Sequence, residues 1–322
     1  MGRVLFIILI LFHATLAHAK DICDLLNLKS CSKITRQSRR SSMSSLPGPS
    51  TAAASNPATV SFDRGLGVEA IAQAGNKTLL GLASGTGRVG AALISSSLEN
   101  TFFSNRVPEL EGDYGKRLEE KKQYETNKLN LALGARLWNS KNFTLDSGII
   151  LKRHSEVKDI NLGAGLSGRF SFFSFGFSAY RDDLYLDYTR INPLTGSAYS
   201  VETGKDTYEE KFTVLNSFVG FRWKNLNLDY GIIQSEYEME EDKTRISILS
   251  ASYTYRHFLF SLASRKEVSP RRILKDDLLV EQKEKSDIFL SFQSSVGKHL
   301  IVGIQYNYFL LDEISFIGSF FF

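Results

Sequence analysis

Beyond an apolar leader, the chain carries three histidines, His154, His257 and His299, and two cysteines, Cys23 and Cys31. Hydrolysis needs a nucleophile, a base and an orienting group within hydrogen-bond reach. His154 falls at a loop and His257 and His299 fall beside tight turns, so none is placed mid-strand near a serine, and no catalytic residue is assigned. Metal chemistry has no better footing, because Cys23 and Cys31 have no histidine neighbours at ligand spacing. Neither a metal nor a cofactor is expected. In an exported chain this isolated pair suits a disulfide closing a small loop, with free thiols as the alternative. Lipidation of Cys23 is disfavoured: Asp21 and Ile22 precede it, and Lys20 interrupts the small-residue run. The other polar groups of interest are Arg136, Asp146, Asn216, Arg222, Asp229, Gln305 and Asn307, all within alternating segments. Arg136 and Asp146 flank one turn, and Arg222 and Asp229 another. Each pair can meet across its turn, either to steer a solute or to stiffen a wet interior.

The elements that would position these groups begin after residue 19. Arg3, the apolar block Val4 to Phe12 and the ending His18-Ala19 describe a secretory signal peptide. Removing 19 of 322 residues leaves 303, and loss of Arg3 leaves 38 Lys+Arg against 35 Asp+Glu, a net +3. That near balance carries no electrostatic footprint for nucleic acid. No second run reaches the ~18 apolar residues of a membrane helix. With 23 Phe, 13 Tyr and 24 Gly, the composition reads as an exported β protein.

From Gly67 onward, apolar residues recur at every second position. Leu129, Leu131, Leu133, Ala135 and Leu137 alternate with Lys128, Asn130, Ala132, Gly134 and Arg136; Leu300, Val302, Ile304, Tyr306 and Tyr308 do the same near the end. This period is that of strands. Many runs last about 10 residues, longer than the ~5–6 usual in soluble sheets and matched to the ~9–11 of a tilted strand crossing a bilayer. The pattern predicts fourteen strands, at 67–74, 77–84, 88–95, 126–138, 142–152, 158–167, 169–180, 211–223, 225–237, 243–255, 257–267, 285–296, 299–308 and 312–322. The long connections, 96–125, 181–210 and 268–284, all follow odd strands, whereas the even gaps are all short, among them Gly85 to Gly87, Gly168, Lys224 and Arg256. Sorting by parity is the habit of outer-membrane barrels, with tight turns inside and long loops outside. The expected fold is therefore all-β: a transmembrane antiparallel barrel of about 14 strands over residues 67–322, preceded by a 20–66 segment.

With the apolar set against lipid, the lumen receives the seven polar residues named above, together with Lys128, Asn130, Asn161, Asn227 and Gln293. Basic side chains on the lipid face would cost about 2–4 kcal/mol at mid-depth. Strand seven is ambiguous, because Phe170, Phe172, Phe173, Phe175 and Phe177 occupy both faces, and an inward Phe would suit an apolar ligand. Trp138, Trp223, Tyr180, Tyr188, Tyr237 and Tyr255 near strand ends fit interfacial girdles. Counting back from Phe322 gives Phe320, Gly318 and Phe316, an alternation that resembles the final-strand signal read by the barrel assembly machinery. The charged outer loops, such as Glu109 to Glu125, read as solvated faces, with lipopolysaccharide or divalent cations as alternative partners.

Residues 33–55 are rich in Ser, Arg, Ala and Pro and cannot bury enough apolar surface to fold alone. They lead into Ser55-Asn56-Pro57-Ala58-Thr59-Val60-Ser61-Phe62. The Asn56-Pro57-Ala58 step ahead of the first strand resembles part of the N-terminal hatch of the outer-membrane long-chain fatty-acid (hydrophobic compound) transporter family. The resemblance implies a fourteen-stranded barrel in the outer membrane of a Gram-negative bacterium. It further implies residues 20–66 as a plug holding Asn56, Pro57 and Ala58, and uptake of hydrophobic small molecules toward a lateral opening. The chain departs from that family in being shorter and in having charged outer loops where apolar docking helices are displayed. A general porin for hydrophilic solutes and a structural or adhesive surface barrel are the alternatives, separated by whether residues 20–66 lie inside the barrel. If the strands face lipid, the purified mature chain will stay in solution only with detergent or another amphiphile. Sedimentation of a detergent-free sample as a soluble monomer would contradict this.

Overall fold

The computed structural model describes residues 49–62, 64–73, 77–97, 128–140, 143–154, 159–170, 172–188, 206–237, 243–269, 272–275, 278–281, 286–296, 299–308 and 314–321. Residues 1–48, with Cys23, Cys31 and the leader, lie outside them, as do Glu109 to Glu125 and Phe322.

Fourteen antiparallel strands close on themselves. The first eight are β1 (Arg64–Gln73), β2 (Lys77–Thr86), β3 (Val89–Ser96), β4 (Lys128–Asn139), β5 (Phe143–His154), β6 (Ile160–Phe170), β7 (Phe173–Tyr188) and β8 (Asp206–Trp223). Then come β9 (Leu226–Tyr237), β10 (Lys243–Tyr255) and β11 (Phe258–Ser269). A separate two-stranded sheet, β12 (Arg272–Lys275) with β13 (Leu278–Glu281), stands in the following connection. The wall resumes with β14 (Ser286–Val296), β15 (Leu300–Asn307) and β16 (Ile314–Phe321). β16 pairs back onto β1 from Phe321 opposite Gly67 to Ser315 opposite Gln73, and this seam leaves no edge.

The faces sort as the alternation dictates. Along β4, Leu129, Leu131 and Leu133 are exposed outward while Asn130 and Ala132 are buried within. On β16, Phe316 and Phe320 face outward and Ser315 and Ser319 inward. One bulge interrupts the period: Arg136 pairs with Asp146 and Trp138 with Leu145, so Leu137 is the extra residue. Leu137 and Trp138 are in consequence both exposed, and Trp138 reaches the outer surface at the short-turn rim.

The structure corrects several details. β1 starts at Arg64 rather than at residue 67, because backbone pairing to β2 continues through Gly65, whose φ of 102° no side-chain-bearing residue adopts readily. β7 and β8 run on to Tyr188 and from Asp206, inside the stretch expected as loop. Their ladder continues where Arg181, Asp182 and Asp183 break the apolar alternation, because hydrogen bonding between strands does not require a greasy face. Gly168 is no turn. It pairs with Leu145 and Phe175 inside β6, and the Phe175 ring covers the space a side chain would take. The strand-seven ambiguity also resolves: Phe173, Phe175 and Phe177 face out, with Ser174, Gly176, Ser178 and Tyr180 facing in.

The outward face predicts a depth-dependent cost. Leu133→Arg, mid-strand, will destabilise the barrel by about 2–4 kcal/mol, and Leu129→Arg, next to the outer rim, by about 1 kcal/mol or less. Denaturant unfolding in lipid vesicles measures both.

Candidate functional site

The segment ahead of β1 lies inside the barrel. Pro49 occupies the first position of helix α1 (Pro49–Ser55), where its missing N–H costs nothing, and Ala52, Ala53 and Ala54 are strong helix formers. Pro57 ends the helix by restricting Asn56 to an extended backbone, then opens a 3-10 turn over Pro57–Phe62. Every residue from Ala52 to Ser61 is buried.

Asn56 is the pivot. Its N–H donates to the Ala52 carbonyl at 2.9 Å, and its own carbonyl accepts from the Thr59 N–H at 3.1 Å and the Thr59 hydroxyl at 2.8 Å. Its side-chain oxygen accepts from the Ala58 N–H at 3.1 Å, capping the new turn. Its amide nitrogen donates to the Leu166 carbonyl of β6 at 3.0 Å. One side chain thus shapes the segment and fastens it to the wall.

The wall is shaped to receive it. Gly65, Gly85, Gly90, Gly134, Gly148 and Gly165 stand directly opposite one another across β1 to β6. The same row continues through Ser178 on β7 to Asn216 on β8. A Cβ added at Gly134 would sit 2.6 Å from Val60 Cγ2, one at Gly148 2.6 Å from the Ala58 nitrogen, and one at Gly165 3.0 Å from Pro57 Cδ. Missing side chains therefore make a trough in which Pro57 to Val60 lie against bare backbone. At the end of the row the Ser55 carbonyl accepts from the Ser178 hydroxyl at 2.6 Å and the Asn216 amide at 3.0 Å.

The other end is held by charge. Ser61 Oγ donates to Asp146 Oδ1 at 2.8 Å. Arg136 Nε reaches the same oxygen at 3.0 Å, and the Arg169 guanidinium reaches Oδ2 at 3.0 Å. Asp146 is wholly buried, so two guanidinium groups and a hydroxyl replace its water. Toward the long-loop end, Asp182 accepts from Lys128 at 2.7 Å and from Lys152 at 3.4 Å, and Lys152 also lies 3.5 Å from the centre of the Tyr180 ring. On the far wall Arg265 pairs with Asp287 at 3.0 Å, and Asn307 donates to the same carboxylate at 3.5 Å.

Not everything facing inward is polar. Ala53, Ala54 and Val60 pack in one buried apolar cluster with Ile71, Leu79, Ile94, Ile150, Phe212, Phe218, Ile233 and Ile248. Among the described residues inward aromatics include Tyr180, Phe212, Phe218 and Phe289, not the outward-facing phenylalanines of β7.

The residues singled out from the sequence take these places. Asn56, Pro57 and Ala58 form the bend, Arg136 and Asp146 pair beneath it, and Asn216 holds the helix end. Arg222 stands opposite Asn227, and Asp229 opposite Gly220, its carboxylate filling the space that glycine leaves. Gln305 and Asn307 are buried on β15, away from the bend. His154, His257 and His299 occupy a strand end and two turns; His299 Nδ1–H donates to the Phe321 carbonyl at 2.6 Å, fastening the last strand. Among the described residues no cluster of His, Cys, Asp or Glu could hold a metal ion. Sequence reasoning missed Arg169, Ser55, Ser61, Ser178 and the glycine row. The row was discoverable only after fixing each turn, since cross-strand register follows from the turn centre.

No protein-family model and no curated protein matches the chain. Among solved structures it is similar to the Pseudomonas putida toluene transporter TodX, at 9% identity and a TM-score of 0.46 over 86% of this chain and 94% of that one. The Ralstonia pickettii toluene transporter TbuX gives the same values. The CymD monoaromatic hydrocarbon channel follows at 10% identity and 0.43, over 83% and 91%.

The hydrogen bonds of Asn56 predict how firmly the segment is seated. Asn56→Ala removes the bonds to Leu166 and Ala58, each worth about 1 kcal/mol net. Hydrogen exchange at the Asn56 and Thr59 amides will therefore accelerate roughly 10- to 30-fold (a 1.4 kcal/mol change is about tenfold), while exchange in β10 and β11 stays unchanged.

Proposed function

We propose that this protein resides in the outer membrane of a Gram-negative bacterium and takes up small hydrophobic molecules through a barrel plugged by its own N-terminal segment. The apolar cluster inside the lumen carries the reading. Ile71, Leu79, Ile94 and Phe212 are covered with the plug seated, so a solute meets them only once the plug shifts. A hydrated solute would then lose water against them, whereas an apolar one gains about 25 cal/mol per Å² transferred from water. The segment 49–62 supports the same conclusion, because it occupies space that a general porin keeps open for water. Arg136, Asp146 and Asn216 serve this reading as anchors of the plug rather than as contacts for the solute. Lipid is the partner of the outer surface, and the C-terminal sequence carrying Phe316, Phe320 and Phe322 is the signal offered to the barrel assembly machinery. No step in this reading calls for a catalytic residue.

One observation favours a hydrophilic passage instead: β11, β14 and β15 turn Arg265, Asp287, Gln293, Gln305 and Asn307 inward along one side. Conductance separates the two. The intact protein in planar bilayers will carry little steady current, and deletion of residues 20–60 will increase it several-fold. Cells expressing the intact chain will accumulate a radiolabelled aromatic hydrocarbon faster than control cells, with no gain for a labelled sugar. A large open channel in the intact protein would exclude the plugged reading.

A further inference from the structure

The lipid-facing surface at the long-loop rim carries its charge, among the described residues, on one arc. Among the described residues, the outward side chains at the long-loop ends of β5 to β11 include six bases: Arg153, Arg181, Lys211, Lys243, Arg245 and Lys266. Among the side chains described, two acids pair with these bases: Asp159 with Lys211, and Glu236 with Lys243 at 2.7 Å. The corresponding outward positions of β14 to β3 hold Ser286, Tyr308, Ile314, Thr78 and Ser95, none of them charged. A rim that merely kept the protein soluble would have no reason to gather its described bases on half the circumference.

Within the arc, Arg245 and Lys266 stand out. Both are exposed, and among the described residues neither has a carboxylate partner. Lys266 stands opposite Ser247, two positions along β10 from Arg245, so both cations crown the same strand pair with a hydroxyl between them. Directly beneath lie Leu249 and Leu262, exposed by 57% and 47%. Cations above an apolar wall match an amphiphile with an anionic head and several acyl chains: the guanidinium offers paired donors to phosphate oxygens, the ammonium offers a point charge, and the leucines take the chains.

We propose that this arc, centred on Arg245 and Lys266, is a binding surface for the phosphorylated head of an outer-leaflet glycolipid. The proposal rests on the membrane placement above but not on the solute or the plug. The head sits level with Arg245, Lys266 and Ser247, and the chains run down Leu249 and Leu262.

The test is native mass spectrometry of the full chain in detergent, titrated separately with bis-phosphorylated hexa-acyl lipid A and with the same lipid dephosphorylated. The phosphorylated lipid will bind at least tenfold more tightly. Arg245→Gln with Lys266→Gln will lose most of that preference, while Arg245→Lys with Lys266→Arg will keep it, and conductance will be unaffected in both. Equal affinity for the two lipids, or an unchanged preference in the Gln double variant, would overturn the proposal. So would binding that vanishes on chelation of divalent cations yet survives both substitutions, since carboxylates would then be bridging. Should the Gln variant fail to fold, judged by its heat-dependent gel mobility, salt decides on the unaltered protein. Affinity for the phosphorylated lipid must fall severalfold between 50 and 500 mM NaCl, and a salt-independent affinity counts against the arc.

Discussion

Backbone amides and carbonyls in hydrocarbon have no water to bond, so each strand needs a partner on both sides. The seam between β1 and β16 is where that demand is met last, and the rest of the architecture depends on it. Without it, the first and last strands would present open edges to lipid. With it, alternation along each strand becomes a division between two environments: leucines, phenylalanines and valines against lipid outside, and polar and small residues together with an enclosed apolar cluster within.

Closure creates a second problem, since a fourteen-stranded barrel encloses more space than its inward side chains fill. Here the chain solves it with its own preceding segment. Ser178 and Asn216 take up the Ser55 carbonyl at the helix end, and the side chains of Asn56 and Ser61 fasten the segment to the Leu166 carbonyl and to Asp146. The glycine row lets the segment approach so closely that packing and hydrogen bonding act together. Ser61 ties it to a carboxylate already bridged by two arginines, so displacing the segment would remove one of the three groups that solvate a buried charge.

Some of this was legible before any coordinates. The strand number, their approximate limits and the inward placement of Arg136, Asp146, Asn216 and Asn307 follow from a period of two together with the cost of charge in lipid. The Asn56-Pro57 bend was readable from the restriction proline places on its predecessor. β7 was harder, because phenylalanine at consecutive positions erases the alternation, and only its ladders to β6 and β8 settle which face is which. The upper parts of β7 and β8 were hidden for a related reason: once strands leave the apolar zone, nothing obliges their side chains to alternate.

The amino-acid order by itself determined that this is a closed β structure with a greasy exterior, because face assignment is a one-dimensional property of each strand. What only the tertiary structure decided is which residues on different strands come level with one another. Six glycines scattered from Gly65 to Gly165 become one trough, and Arg136, Asp146, Arg169 and Ser61 become one cluster. These assemblies depend on the register of every intervening hairpin. Each turn centre shifts that register by whole residues, and no local pattern carries the sum.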